Sequence, residues 1–98
     1  MNQYMITIKL PYDITEEFVR LIPKQRAHVD KMMDEGKILH YALAMDRSIV
    51  WVTMLADNEQ IVMDRLADFP LIDFMKPEIM ELAFHNSVSN DLPKLIMN

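Results

Sequence analysis

The chain begins with a segment in which apolar and polar residues alternate. The apolar positions of this segment are Tyr4, Ile6, Ile8 and Leu10. Alternation with a period of two is typical of a strand that buries one of its faces. The residue that follows, Pro11, has no N–H to donate to a neighbouring strand. The pattern therefore predicts a first strand over residues 3–10.

A helical pattern follows this strand. Its apolar positions are Phe18, Ile22, Val29 and Met32. Glu16 and Glu17 fall in the first turn, where the helix dipole favours negative charge. Pro23 would remove a backbone hydrogen bond from a helix interior and clash with the preceding turn. We therefore predict a short helical turn up to Leu21, followed by a main helix that restarts at Pro23 and runs to about Glu35.

A hairpin, a second helix and a fourth strand are predicted in the rest of the chain. Apolar and β-branched runs predict a hairpin of two strands over residues 38–45 and 48–55. Asp57 with Gln60 three residues later resembles a capping box and predicts the start of a second helix. A fourth strand is predicted over about residues 78–85. The order β-α-β-β-α-β is that of the ferredoxin-like fold, an α+β architecture with both helices on one face of an antiparallel sheet.

The predicted strands carry apolar residues on both faces, although two helices cover only one. An open apolar sheet face would exceed the few hundred Å² that a monomer usually tolerates. We therefore expect two copies to pack face to face around a two-fold axis, as a dimeric α/β barrel that forms a homodimer or a higher homo-oligomer. The alternative is that the tail, residues 89–98, covers its own sheet. The whole chain is predicted as one domain, with its core over about residues 3–88.

Composition narrows the classes of function. The 98 residues carry a net charge of −5 and include no cysteine and a single glycine. An acidic chain without a cluster of Lys and Arg is a poor binder of nucleic acid or membrane surfaces. No apolar run reaches the roughly 18 residues that span a bilayer. Disulfides, thiol catalysis and a Gly-rich phosphate loop are excluded. We expect a cytoplasmic protein with no cofactor and no nucleic-acid or membrane partner.

Three polar residues near the predicted core are candidates for chemistry. Gln25 lies in the apolar stripe of the first helix, and we interpret it either as a ligand-binding amide or as a core glutamine with internal partners. His28, one turn further on, is either a proton carrier or a residue of the helix flank. His40 lies inside the second strand and is either an acid/base group or a core histidine. His40 and His28 are the predicted catalytic residues.

The remaining candidates would bind a ligand. His85 closes the predicted fourth strand, where it either lines a pocket or is solvated. Tyr41 and Trp51 either form an aromatic wall for a small apolar organic ligand or belong to the core. The histidines lack local metal-ligand spacing such as H-x-H, so no metal site is predicted. A site that assembles His28, His40 and His85 in space stays as an alternative.

Several short strings resemble the muconolactone delta-isomerase family over about residues 3–88. The most specific is the string Phe-Pro-Leu-Ile-Asp-Phe-Met at residues 69–75. The others are residues 9–13, Glu35 with Gly36, His40, and His85 with Ser87. The resemblance implies a small dimeric α/β-barrel protein.

The same resemblance implies proton transfer on an unsaturated lactone. It also implies an acidic residue midway along the first helix, at or next to the position that Gln25 occupies here. The first hypothesis is therefore an isomerase-like enzyme acting on a small lactone or carbonyl compound, in which His40 moves the proton and Gln25 holds a ligand oxygen. The alternatives are a non-catalytic ligand-binding or assembly protein and a cofactorless oxygenase.

Overall fold

The computed structural model describes residues 1–86 and gives them an α+β fold. In chain order the elements are strand β1 (Asn2–Lys9), helix α1 (Glu16–Asp34), strands β2 (Ile38–Leu43) and β3 (Ile49–Ala56), helix α2 (Glu59–Ala67), a 3₁₀ helix (Ile72–Phe74) and strand β4 (Lys76–Glu81). The strands form one antiparallel sheet in the order β2-β3-β1-β4. The prediction of a ferredoxin-like α+β architecture is therefore confirmed.

The core lies between the two helices and one face of the sheet. The central strands β1 and β3 bury every second residue there, as the alternation predicted for β1. These residues are Tyr4, Ile6, Ile8, Val50, Val52, Met54 and Ala56. Helix α1 packs Phe18, Val29 and Met32 against them, and α2 packs Val62 and Leu66. Full burial of one such large side chain stabilises the fold by about 1.5–3 kcal/mol.

Helix α1 does not break at Pro23, so the predicted restart is wrong. The helix is continuous from Glu16 to Asp34, and the Thr15 side chain caps it by accepting a hydrogen bond from the N–H of Phe18. An interior proline costs a helix about 3 kcal/mol. Pro23 lies on the exposed side, where water can reach the carbonyl left without a helical donor. Because the helix buries three large apolar side chains on its other side, this cost is offset.

A β-bulge in β2 decides which of its side chains face the helices. Ile38 lies opposite Met54, but the next paired residue is His40, opposite Thr53. Leu39 is the extra residue, so Ile38 and Tyr41 share the helix-facing side. His40 therefore points to the other face. Strict alternation would place Ile38 and His40 on the same side, and the bulge separates them.

The turn between β2 and β3 contains a residue in left-handed conformation. Strand β2 ends at Leu43, two residues before the predicted end, and Arg47 in the turn has a φ of 63°. The Asp46 carboxylate accepts hydrogen bonds from the Ser48 hydroxyl at 2.6 Å and from the Ser48 N–H at 3.0 Å. These hydrogen bonds hold the pKa of Asp46 below its ordinary value. The turn is thus fixed by its own side chains.

Two further boundaries differ from the prediction. Asn58 caps α2 by accepting from the N–H of Ile61, so the cap is not Asp57. Strand β4 ends at Glu81, and after it the Leu82 N–H donates to the Gln3 carbonyl of β1. The predicted tail, residues 89–98, lies outside the described residues.

The face of the sheet that points away from the helices is here called the free face. It carries His40, Ala42, Trp51, Thr53, Met5, Thr7, Met80 and Glu78. Residues 82–85 cross this face, because Leu82 lies beside β1 and the His85 ring contacts His40 on the far edge strand. Trp51 stays 40% exposed and Met80 68% exposed. Within residues 1–86, neither helix has the length and hydropathy to cross a membrane.

Candidate functional site

A cavity of about 310 Å³ lies between α1 and the helix-facing side of the sheet. Its walls are mainly apolar and come from α1, the ends of β1 and β2, β3 and the segment that follows α2. The lining residues are Leu10, Ile14, Phe18, Ile22, Gln25, Arg26, Tyr41, Leu43, Arg47, Val50, Leu71 and Met75. A volume of a few hundred Å³ with apolar walls and a few polar groups is typical of a site for a small organic molecule.

Gln25 joins three parts of the cavity wall. Its side chain is 4% exposed, and its Oε1 accepts a hydrogen bond from the backbone N–H of Leu71 at 3.1 Å. Because that backbone group only donates, the amide oxygen must point to it and Nε2 must point away. Nε2 donates to the Tyr41 hydroxyl oxygen at 3.4 Å. Both predicted interpretations of Gln25 meet here, since the amide has internal partners and also lines the cavity.

Tyr41 presents the hydroxyl that is available to a ligand. Its oxygen accepts from Gln25, so its own hydrogen is left to donate into the cavity. Burial raises the pKa of Tyr41 above its ordinary value, and the hydrogen bond from Gln25 offsets this only in part. The phenol therefore stays neutral at physiological pH. The β2 bulge is what turns Tyr41 towards this side of the sheet.

Two arginines on the cavity wall were missed by sequence analysis. Arg26 follows Gln25 on α1, and Arg47 occupies the left-handed position of the β2–β3 turn. Both are exposed, so their guanidinium groups lie where the cavity meets solvent. In the described residues, neither arginine forms an ion pair. A guanidinium suits a carboxylate because its donors match the two oxygens.

The three histidines lie outside this cavity. His28 is on another side of α1, with its ring 5.6 Å from that of Phe69, and its Nε2 is buried without a partner in the described chain. His40 lies on the free face, with the His85 ring 5.1 Å away. Over residues 1–86 no three metal-ligating side chains come together. The alternative three-histidine site is therefore not formed in this part of the chain.

Trp51 also lies on the free face, opposite Ala42 and Thr7. The structure thus brings two of the six predicted site residues, Gln25 and Tyr41, to the cavity. His28, His40, His85 and Trp51 lie elsewhere, so the proton-transfer role predicted for His40 and His28 is not supported at this cavity by their positions. His40 lies outside the cavity because the bulge in β2 turns its side chain away from α1.

Fold and cavity together define a ferredoxin-like α+β protein with a mainly apolar cavity between its first helix and its sheet. A sequence model of the muconolactone delta-isomerase family matches residues 3–88. The chain therefore belongs to the muconolactone delta-isomerase family.

A solved structure agrees with this assignment. The crystal structure of muconolactone isomerase at 3.3 Å resolution matches with a TM-score of 0.71 and 19% sequence identity, over 88% of this chain and 93% of that chain. At that identity the likeness shows the shared fold. A search of curated protein sequences found no match.

Proposed function

We propose that this protein binds a small carbonyl compound with an apolar ring and a carboxylate, in the cavity between α1 and the sheet, without moving a proton on it. The observation that carries the proposal is the hydrogen-bonded unit of Gln25 and Tyr41 in the wall of an apolar cavity of about 310 Å³. This is the non-catalytic alternative that the sequence left open, placed at a specific site.

Each polar group in the wall supports one part of this ligand. The Tyr41 oxygen accepts a hydrogen bond from Gln25, which leaves the hydroxyl hydrogen to donate to a carbonyl oxygen of the ligand. Arg26 and Arg47 attract a carboxylate to the end that meets solvent. The apolar side chains between these groups cover a compact hydrocarbon or lactone ring. The ligand is thus oriented with its carbonyl inside and its acid group outside.

The part of the wall that residues 1–86 form lacks a side chain suited to carrying a proton near neutral pH. Among the lining residues there is no carboxylate and no imidazole. The Gln25 amide does not titrate, and the raised pKa of Tyr41 makes it a poor base. A second candidate, isomerisation of muconolactone itself, is favoured by membership of the family. That reaction needs a group that accepts and returns a proton.

A calorimetric titration with three ligands tests the proposal. We expect muconolactone to bind, and its methyl ester and an unsubstituted butenolide to bind about 10–100-fold more weakly, because a charge-assisted hydrogen bond contributes about 1.5–3 kcal/mol. Proton NMR of muconolactone in D₂O with the protein should show no isomerisation and no accelerated deuterium exchange at carbon. Equal affinity for acid and ester would contradict the acid-binding mode, and catalysed exchange would establish the second candidate.

The same titration at several pH values separates tyrosine from histidine. A histidine that donated to the ligand would lose affinity as the pH rises through neutrality. Because burial raises the pKa of Tyr41 above its ordinary value, its hydroxyl keeps its hydrogen through that range. We therefore expect constant affinity from pH 6 to about pH 9 and a loss only above about pH 10. A midpoint near neutrality would contradict the assignment to Tyr41.

In this proposal the protein is a homodimer that packs through the free face. Three large apolar side chains there support it, since Trp51, Met80 and Phe84 are exposed by 40%, 68% and 78%. Trp51→Glu should convert the dimer to monomers in sedimentation at micromolar concentration, because a carboxylate would be buried without a partner. Met63→Glu is the matched control, since Met63 is 48% exposed on α2. A wild-type chain that sediments as a monomer would rule out this assembly.

A further inference from the structure

Two histidines from distant parts of the chain meet on the free face. His40 lies on the edge strand β2, and His85 follows β4 on the opposite edge of the sheet. Their ring centres are 5.1 Å apart and their planes are inclined by 56°. This pairing exists only because residues 82–85 cross the sheet. His40 is exposed, so solvent reaches the pair.

The spacing of the two rings would allow both imidazoles to share one metal ion. In a tetrahedral zinc site the Zn–N distance is about 2.0–2.1 Å, which places the centres of two coordinating rings about 5 Å apart. The observed 5.1 Å agrees with this value. An inclination of 56° lies between parallel stacking and an edge-to-face contact, so neither favoured aromatic geometry accounts for it.

The ligand atoms available at the pair indicate which metal ions it would bind. Imidazole nitrogens suit zinc, nickel and copper, whereas calcium and magnesium take oxygen ligands. Over the described residues no third His, Asp or Glu joins the pair. Water or a second copy of the chain would therefore complete the coordination.

We propose that His40 and His85 form a two-histidine site for a divalent transition-metal ion. The bound ion ties residues 82–85 to β2 across the free face. The site lies on the opposite side of the sheet from the α1 cavity and does not depend on the proposed ligand binding.

Three single variants of the full chain test this site against one another. The chain has three histidines, so His28→Gln is a matched control that leaves the pair intact. We expect saturable binding of Zn²⁺ and Ni²⁺ by calorimetry in the wild type and in His28→Gln. His40→Gln and His85→Gln should each weaken binding at least tenfold, because one of two protein ligands is lost. Circular dichroism confirms that each variant is folded.

Nuclear magnetic resonance gives an independent measurement. Paramagnetic Ni²⁺ should broaden the ring signals of His40 and His85 at substoichiometric amounts and leave those of His28 sharp. The absence of saturable binding in the wild type would overturn the site, and so would binding that survives both His40→Gln and His85→Gln. Selective broadening of the His28 signals would also overturn it. Ligand affinity at the α1 cavity should be the same in His40→Gln as in the wild type.

Discussion

Replacing Gln25 with leucine is expected to lower the free energy of unfolding by about 2–3 kcal/mol, because the buried Leu71 N–H loses Gln25 Oε1 as its acceptor. Leucine has nearly the volume of glutamine, so the loss comes from hydrogen bonding rather than from a new cavity. For a domain of this size the change corresponds to a fall in melting temperature of about 10–20 °C. Urea denaturation measures it. Ligand binding should also be lost, since the Tyr41 hydroxyl is no longer oriented by the amide.

Gln25→Glu is the matched control, because it keeps an oxygen for the Leu71 N–H. When ionised, the new side chain can no longer donate to Tyr41, so the phenol turns its hydrogen to the carboxylate and away from the ligand. Burial raises the pKa of a carboxyl, so this variant should be more stable at pH 5 than at pH 8, with stability lost as the pH rises. A Gln25→Leu variant as stable as the wild type would show that the bond to Leu71 contributes nothing.

Gln25→Glu also tests the second candidate function. The resemblance to the family implies an acidic residue at or next to this position. A glutamate there would provide the proton acceptor that is missing from the lining residues of the described chain. Deuterium exchange into muconolactone that appears in Gln25→Glu and not in the wild type would show that the cavity is built for the family's substrate and lacks only the base.

The fold was predictable from the sequence because short-range patterns determine it. The alternation in β1 identifies its buried residues without any knowledge of partners, and the spacing of Phe18, Val29 and Met32 identifies α1. The run of β-branched and aromatic residues identifies β3 as a strand but not which of its faces is buried. The bulge at Leu39 was not predictable, because it depends on how β2 pairs with β3. Continuity at Pro23 was missed for a similar reason, since burial elsewhere on α1 offsets the local cost.

The candidate site was predictable only in part. Gln25 was found because a polar residue inside an apolar stripe is conspicuous, and Tyr41 because it is an aromatic residue on a strand. Arg26 and Arg47 were missed because charged residues beside a stripe or in a turn are usually solvated. One local feature could have pointed to Arg47, because it lies in a tight connection between two strands where a glycine is usual. The pairing of His40 with His85 depends on residues 82–85 crossing the free face, and no local sequence pattern predicts that path.

Arg47→Gly is expected to weaken binding of the acidic ligand about 10–100-fold while leaving stability unchanged or slightly higher. Arg47 has a φ of 63°, a conformation that costs a residue with a Cβ about 1–2 kcal/mol and costs glycine nothing. The greater freedom of glycine in the unfolded chain offsets part of that gain. The turn itself should persist, because Asp46 accepts from Ser48 and the residue 47 N–H donates to the Ala44 carbonyl through backbone atoms. Calorimetry and urea denaturation measure the two quantities separately.

The opposite signs of these two effects make the test specific. If Arg47 served a structural role, its substitution would lower the stability of the protein. If it serves to bind a ligand, glycine can replace it without a loss of stability. Arg47→Lys keeps the positive charge and the backbone strain, so it should bind the acid more weakly than the wild type but better than Arg47→Gly. The neutral butenolide should bind all three proteins equally, because it offers no carboxylate. An unchanged affinity of Arg47→Gly for muconolactone would leave the acid-binding role to Arg26 alone.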